Sequence, residues 1–460
     1  VSEFNPVSQS KIVEEQVLPA ANRGNILALT STCNVRCLFC SHHQNPPGVE
    51  TYRLNPLGAE QVSRALALMD PEKPVVIGES VTRVMEGEPF THPAFREILM
   101  LIRRTLPRTT IQITTNGSLL TAEAAGFLAA LGRVVIYLSL NSADPQRRRQ
   151  LMQDRHAAVA AAAPALLQKY GIVCHGSVVA MPHVLGWADL ADTLRRLDRY
   201  GASTIRVFLP GYTRLAPREL RFPSSLWIEL HRFVDRLRSQ VRTPLTVEPP
   251  LISDLQAVVT GVMAGTPAAE AGIKAGDVIC AVECLPVAGR VDAFKRILAA
   301  AGPVVDLERE GKPVTVKLHK KAGDTSGLVM DYDIDLEDFS RRIRYAVATG
   351  REDRPALLLT SELGHPAVRL ALARLFPGGA GGVRVLPVKN RFFGGSIKAA
   401  GLLVVEDMAA AVRTCLDNDR CARPALVVVP EIAFDFRGRD LTGRSYLDLR
   451  EECGLAVRLA

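Results

Sequence analysis

No uninterrupted apolar run reaches the ~18 residues that a bilayer-crossing helix needs, so no membrane span is expected from this sequence. The opening segment, Val1 to Pro6, lacks the basic-then-apolar order of an export signal. No Met stands at position 1, so trimming or an artificial junction at the start is expected. Cysteine is sparse: nine in 460 residues, an odd number that does not read as a disulfide framework. A reducing compartment is therefore expected, and cytoplasm is the default. Charge excess is modest. The balance of +8 permits an anionic partner such as nucleic acid. The basic residues are dispersed, however, and often lie in helical runs such as Gln146-Arg-Arg-Arg-Gln150, which reads as a solvated face. At about 100 to 200 residues per domain, the length supports two to four domains, and a 47% hydrophobic content is enough for ordinary cores.

What is present is concentrated in one place. Three of the nine cysteines fall in the eight-residue stretch Cys33-Asn-Val-Arg-Cys37-Leu-Phe-Cys40. A four-iron cluster takes four thiolates, so a compact loop offering three holds the cluster and leaves one iron without a protein ligand. Zinc in a thiolate loop, or three unrelated core cysteines, are the alternatives that residue type alone leaves open. The CxxxCxxC spacing resembles the signature of the radical S-adenosylmethionine (SAM) superfamily. That resemblance implies a [4Fe-4S] cluster on Cys33, Cys37 and Cys40, with the amino and carboxylate groups of SAM at the open iron.

The first 230 or so residues alternate short β-branched runs with amphipathic Ala/Leu/Arg-rich stretches, the pattern of repeated βα units on a parallel sheet. Strands are expected at Ile26–Thr30, Pro74–Ile77, Thr110–Thr114, Val134–Leu138, Cys174–Val179 and Thr204–Leu209. Six strands suffice for a partial barrel, whose chemistry sits on the loops at the carboxyl ends of the strands. The cysteine loop follows the first. The fold this resembles is the partial, TIM-like (β/α)6 barrel of radical SAM enzymes.

Further landmarks follow in order. Val84-Met-Glu-Gly-Glu-Pro-Phe-Thr-His-Pro93 is similar to the family's Gly-Gly-Glu-Pro segment, which meets the SAM amino group. The resemblance assigns that role to Gly87 and Glu88, because an ammonium needs an acceptor and a carboxylate beside a flexible glycine supplies one. Glu86 stands where the family has its first glycine, and Gly78-Glu79-Ser80 at the strand end competes for the same register. A plain alternative is that Glu88 caps a helix beginning near Pro93. Thr114-Thr-Asn-Gly-Ser-Leu-Leu120 and Leu138-Ser-Leu-Asn-Ser-Ala-Asp-Pro145 are close to other family segments. Asn116, Ser139 and Asn141 are their candidates for contacting SAM, small polar groups that bond without filling a pocket. Each is otherwise a turn or cap residue. Ser177 and Arg206 point weakly to the same pocket, and His42 and His43 are either loop residues or substrate contacts.

A second module begins near residue 252. Gly261-Val-Met-Ala-Gly-Thr-Pro-Ala-Ala-Glu-Ala-Gly-Ile-Lys-Ala-Gly-Asp-Val-Ile279 resembles the centre of a bacterial PDZ domain, a fold that adds a peptide as a strand and captures its carboxylate. No Gly-Leu-Gly carboxylate loop precedes the first strand, so an architectural role stands beside peptide binding. Cys280 and Cys284 fall on one face of a strand by spacing, as buried small hydrophobes. From about Ala322 to Ala460 the chain again alternates strands and helices. Val385–Leu403, followed by Glu406-Asp407, is similar to the carboxy-terminal domain of a bacterial family that combines PDZ-like and radical SAM segments in another order. Lys389, Asn390 and Arg391 beside Phe392 and Phe393 suit a substrate or lid loop, or a strand corner. Cys415, Cys421 and Cys453 show no CxxC pairing, so no auxiliary cluster is expected.

The expected organisation is a barrel over 1–245, a PDZ-like domain over 252–321 and a carboxy-terminal α/β domain over 322–460. By resemblance, one electron delivered to bound SAM yields a 5′-deoxyadenosyl radical that takes hydrogen from a peptide, protein or small-metabolite substrate. The chain has no flavin fingerprint, so an external flavodoxin or ferredoxin is the implied donor. A nucleic-acid substrate, or a PDZ scaffold with only a structural metal, are the alternatives.

Overall fold

The computed structural model describes residues 8–81, 83–417 and 422–460. It divides into two compact units. The first takes the described chain up to Gln44, Thr51–Pro210 and Pro217–Pro249; the second takes Asn45–Glu50, Gly211–Ala216 and Pro250–Ala460.

In the first unit seven parallel strands lie side by side in chain order: β1 (Ile26–Leu27), β2 (Val75–Ile77), β3 (Ile111–Thr115), β4 (Val134–Ser139), β5 (Val173–Val179), β6 (Ile205–Phe208) and β7 (Leu245–Glu248). Among the described residues β1 and β7 each pair on one side only, so the barrel they form is open. β7 goes beyond the six strands expected and carries the barrel past residue 245. Its Leu-Thr-Val-Glu run is only four residues long and is followed by two prolines, which hid it.

Helices between the strands cover one face because their apolar residues recur at helical spacing. Phe95, Ile98, Leu99 and Ile102 of the helix Phe95–Thr105 are buried together with Ile111 and Ile113 of β3. Burying a side chain such as Leu99 contributes about 1.5 to 3 kcal/mol. Starts are capped locally: the Thr121 hydroxyl accepts from the Ala124 amide, and Asp144 accepts from the Gln146 and Arg147 amides at 2.7 and 2.9 Å, each cap adding about 1 kcal/mol.

The second unit holds two modules. One is antiparallel. Its sheet runs β11 (Leu285–Pro286), β10 (Val278–Val282), β12 (Val304–Arg309), β13 (Lys312–Lys317), with β8 (Ala257–Val258) also on β10. A separate pair joins β9 (Gly261–Val262) to β14 (Leu328–Val329). The module therefore takes a strand from beyond residue 321. Its Gly-Asp turn is locked by Asp277, which accepts two bonds from the Arg309 guanidinium at 2.7 and 2.6 Å and one from the Lys274 amide. Cys280 and Cys284 are exposed rather than buried, and Cys284 lies past the strand end in a turn at φ 60°.

The other module is a four-stranded parallel sheet in the order β16 (Val383–Val388), β15 (Ala356–Ser361), β17 (Leu426–Val429), β18 (Val457–Leu459). Cys415 and Cys453 pack against its core, and Cys421 lies outside the described residues. The segment Gly211–Ala216 is laced to residues 393–396 of this unit: the Arg214 amide donates to Phe393 O, and the Ser396 amide to Tyr212 O. Gly395 sits at φ 61°, where a Cβ would fall 2.8 Å from Thr213 C, so only glycine fits that approach.

Candidate functional site

The chain leaves β1 and is pinned twice before and after the first cysteine. The Ser31 amide donates to Leu54 O at 2.8 Å, and the Arg36 and Leu38 amides donate to Met152 O and Leu151 O at the end of the helix Pro145–Met152. Between these pins lies Cys33, exposed, with Cys37 and Cys40 half-buried behind it. Burial pushes all three thiols up, and at Cys37 the nearness of Cys40 and Cys33 adds to it. Three thiols in one loop, each made costly to ionise by burial, are what a bound metal stabilises as thiolates. Among the described residues no three His, Cys, Asp or Glu side chains converge on a single ion. A cubane cluster takes each thiolate on a different iron, so this donor set fits a cluster. His42 is half-buried and His43 exposed, and burial lowers both.

The loop after β2 runs alongside the residues that lead into Cys33. The Gly87 amide donates to Thr30 O at 3.0 Å and the Glu88 amide to Thr32 O at 2.8 Å, while the Ser31 hydroxyl donates to Met85 O. A Cβ at position 87 would fall 2.7 Å from both Ser31 C and Thr30 O, so glycine is what permits the close approach. Glu88 is 4% exposed. One carboxylate oxygen accepts from the Thr115 hydroxyl (2.6 Å) and the Phe90 amide (3.3 Å), the other from the Asn116 amide (2.7 Å). It ties the ends of β2 and β3 together and caps the short 3-10 turn Pro89–Thr91, not a helix at Pro93.

Asn116 continues that network. Its Nδ2 donates to Asn34 Oδ1 at 2.9 Å, and its Oδ1 accepts from the Ser118 amide. Asn141 sits at φ 59°, which asparagine tolerates, accepts from the Val179 amide at 2.8 Å, and so joins the ends of β4 and β5. Beneath both lies Arg148, 0% exposed, paired with Asp154 at 2.6 Å and donating to the carbonyls of Asn116 and Leu140. This corrects the reading of Gln146–Gln150 as a solvated face. Arg148 lies three and four residues before the buried Leu151 and Met152, on the inward side of its helix. That spacing was the available signal.

The face of the sheet away from the helices is polar. Thr114, Tyr137 and His175 are neighbours across β3, β4 and β5, and Ser139, Ser177, Arg206 and Thr246 form the next row. The Tyr137 and His175 rings stack at 4.8 Å, and His175 Nδ1 lies 2.7 Å from the Thr204 hydroxyl. Arg206 packs over Phe208 and lies 3.8 Å from Glu248. In a closed (β/α)8 barrel this interior is filled by branched aliphatics; here it can take a polar ligand. Glu79 meets the same region, accepting from the Thr114 hydroxyl at 3.1 Å. Tyr137 and His175 were missed because a lone aromatic in a strand reads as core.

In the second unit, Lys389 and Arg391 are exposed, whereas Asn390 is buried and bridges Leu402 O and the Phe393 amide. Asp407 accepts from the Arg391 and Phe392 amides, which fixes the loop.

Residues 27–211 match the model of the radical SAM superfamily, and 258–308 match a PDZ domain. Residues 27–211 are a radical SAM domain. The GTP 3′,8-cyclase of Yersinia pestis is 34% identical over 122 residues, 26% of this chain and 34% of that protein. That of Chlorobaculum tepidum is 30% identical over 142 residues, 31% and 40% of the respective chains. The chain thus spans a third to two fifths of these relatives' length. Among solved structures, Streptococcus suis SuiB bound to S-adenosylmethionine overlaps with a TM-score of 0.37 at 15% identity, over 48% of this chain and 49% of that one. No helix among the described residues is long and apolar enough to cross a membrane.

Proposed function

We propose that the chain is a radical SAM enzyme that holds a [4Fe-4S] cluster on Cys33, Cys37 and Cys40 and acts on a peptide, protein or small metabolite. The observation that carries this is the three-cysteine loop at the carboxyl end of β1, wedged against the Gly87 loop. A cluster held by Cys33, Cys37 and Cys40 would supply the one-electron chemistry by which SAM yields methionine and a hydrogen-abstracting 5′-deoxyadenosyl radical. An external flavodoxin or ferredoxin provides that electron. The chain's own residues supply the frame. Glu88, Asn116, Asn141 and the Arg148–Asp154 pair fix the strand ends, and the hydroxyl of Ser139 remains for a ribose or carboxylate. The Tyr137, His175, Ser177 and Arg206 face receives the substrate.

The peptide reading draws on the PDZ domain. β14 pairs with β9 on one edge, and no strand lies on its other edge among the described residues. Ser326-Gly327-Leu328 leads into β14, and Leu328 shares a core with Ala293 and Ile297 of the helix Arg290–Ala299. An edge strand beside a helix suits peptide addition, and this glycine-leucine turn sits at the end of the module, where the sequence pattern did not look for it. The test is anaerobic reconstitution with iron and sulfide, reduction, and an assay for 5′-deoxyadenosine. Its formation supports the reading, and a reconstituted protein that cleaves no SAM overturns it.

A further inference from the structure

Two buried side-chain atoms flanking Cys33 have no hydrogen-bond partner: Asn34 Nδ2, a donor, and Glu86 Oε2, an acceptor. Buried polar atoms are nearly always paired, so each orphan marks something to be bound. Asn34 follows Cys33 directly. Glu86 lies in the Met85–Glu88 segment that is laced by backbone bonds to Thr30 and Thr32, just before Cys33. The other polar groups nearby are already used. Glu88 already accepts three bonds, from Thr115, Asn116 and Phe90, and Asn34 Oδ1 and Asn116 Oδ1 each accept one. Glu86 makes no salt bridge among the described residues, and the charge that acts on it is another carboxylate, Glu79. Burial and that neighbour both oppose its ionisation. A cation is what this site lacks.

We infer that Glu86 and Asn34 together grip the amino-acid end of SAM, Glu86 accepting from its ammonium group and Asn34 Nδ2 donating to its carboxylate. An orphan donor in the cluster loop and an orphan acceptor in the segment laced to the residues before it are complementary to an α-amino acid. The inference rests on the radical SAM reading and changes its detail. The ammonium falls to the carboxylate at position 86, where the family pattern has glycine, because Glu88 is committed to the fold.

The test is calorimetric titration of the full chain, reconstituted anaerobically with cluster content checked by absorbance. The titrants are SAM, an analogue lacking the α-amino group, and decarboxylated SAM. Glu86→Gln keeps the shape and should weaken SAM binding about tenfold or more, while binding the des-amino analogue as wild type does. The same variant, melted without SAM, should be no less stable than wild type, since burial and Glu79 already disfavour a charged carboxyl there and the amide keeps its shape. Asn34→Asp keeps the acceptor for Asn116 and should weaken SAM comparably, with the penalty lost for decarboxylated SAM. Unchanged SAM affinity in Glu86→Gln overturns the inference and leaves Glu86 to a cationic substrate. Equal weakening of SAM and the des-amino analogue overturns it as a structural effect, and an amino-dependent loss in Glu88→Gln returns the role to Glu88. A wild-type protein that takes up cluster but binds no SAM sinks the radical SAM reading, and this inference with it.

Discussion

Strand β15 is buried at all six of its positions, whereas β4 is buried only at every second one. The two parallel sheets are built for different ends. In the carboxy-terminal module, Leu357 and Leu359 pack into one core and Ala356 and Leu358 into another, and β17 divides its valines and leucine the same way. A sheet with two apolar faces is filled, and anything it does must happen on its loops. In the barrel, Val134, Ile136 and Leu138 face the helices while Val135, Tyr137 and Ser139 face the other way. One face holds the fold together and the other is free for a ligand. The polar face, together with the cysteine loop at its rim, is where the proposed function places the chemistry.

The largest effect tests that location. Cys37→Ala should abolish both the brown chromophore and SAM cleavage, because three thiolates are the minimum that leaves one open iron. A Cys37→Ala protein that keeps both would remove the barrel from its privileged place in the comparison.

Next is the buried ion pair beneath the strand ends. Arg148→Met strands Asp154 without its cation and should cost about 3 to 5 kcal/mol of stability, read by chemical denaturation. The pH dependence should change sign. Burial by itself raises Asp154, but the Ser118 hydroxyl and the Arg148 guanidinium overcome it and hold the carboxyl below its usual range. In wild type the pair's stabilisation is therefore present above the ordinary carboxylate range of about 4 and lost as pH falls through the lowered value. In Arg148→Met burial is less opposed, the carboxyl moves up, and stability should rise on acidification instead. An unchanged acid limb would show that Arg148 is not what holds Asp154 ionised.

The filled sheet should respond to volume and the open one to chemistry. Leu359→Ala removes a side chain that is 1% exposed and should cost about 2 to 5 kcal/mol, measured by denaturant midpoint. Ser177→Ala, on the open face, should change stability by no more than about 0.5 kcal/mol and appear only in turnover of substrate. Reversed magnitudes would contradict the contrast between the sheets.

How far this was legible follows from where each signal is written. The cluster loop and the βα alternation are local, so they stand in the sequence as spacing and period. Gly87 was legible as a glycine but not for its reason, since the Thr30–Thr32 backbone that it must clear lies some 55 residues earlier in the chain. Arg148 was misread because three consecutive arginines look alike in a string, although helix geometry sends one inward and two out. The strand that completes the PDZ domain follows β13 in the chain, so a search ahead of its first strand could not find it. Glu88 was identified as a carboxylate near the site, but its bonds to Thr115 and Asn116 depend on the meeting of β2 and β3.

The smallest effect concerns the loop from Lys389 to Arg391. Asn390 holds it, with one side-chain bond to Leu402 O and one from the Phe393 amide. Asn390→Ala should therefore cost about 1 to 3 kcal/mol, the penalty of leaving buried partners unpaired. Lys389 and Arg391 project from the same loop and are exposed. Replacing both with alanine should move stability by no more than about 0.5 kcal/mol, and should leave uncoupled 5′-deoxyadenosine formation intact while abolishing product formation on the true substrate. Every residue assigned to cluster or SAM lies in the first unit, so a loop of the second unit acts on substrate under the proposed division of labour. Loss of SAM cleavage in a folded, cluster-loaded Lys389→Ala, Arg391→Ala protein would end that division, and would mean that the two sheets differ in construction without differing in their share of the SAM chemistry.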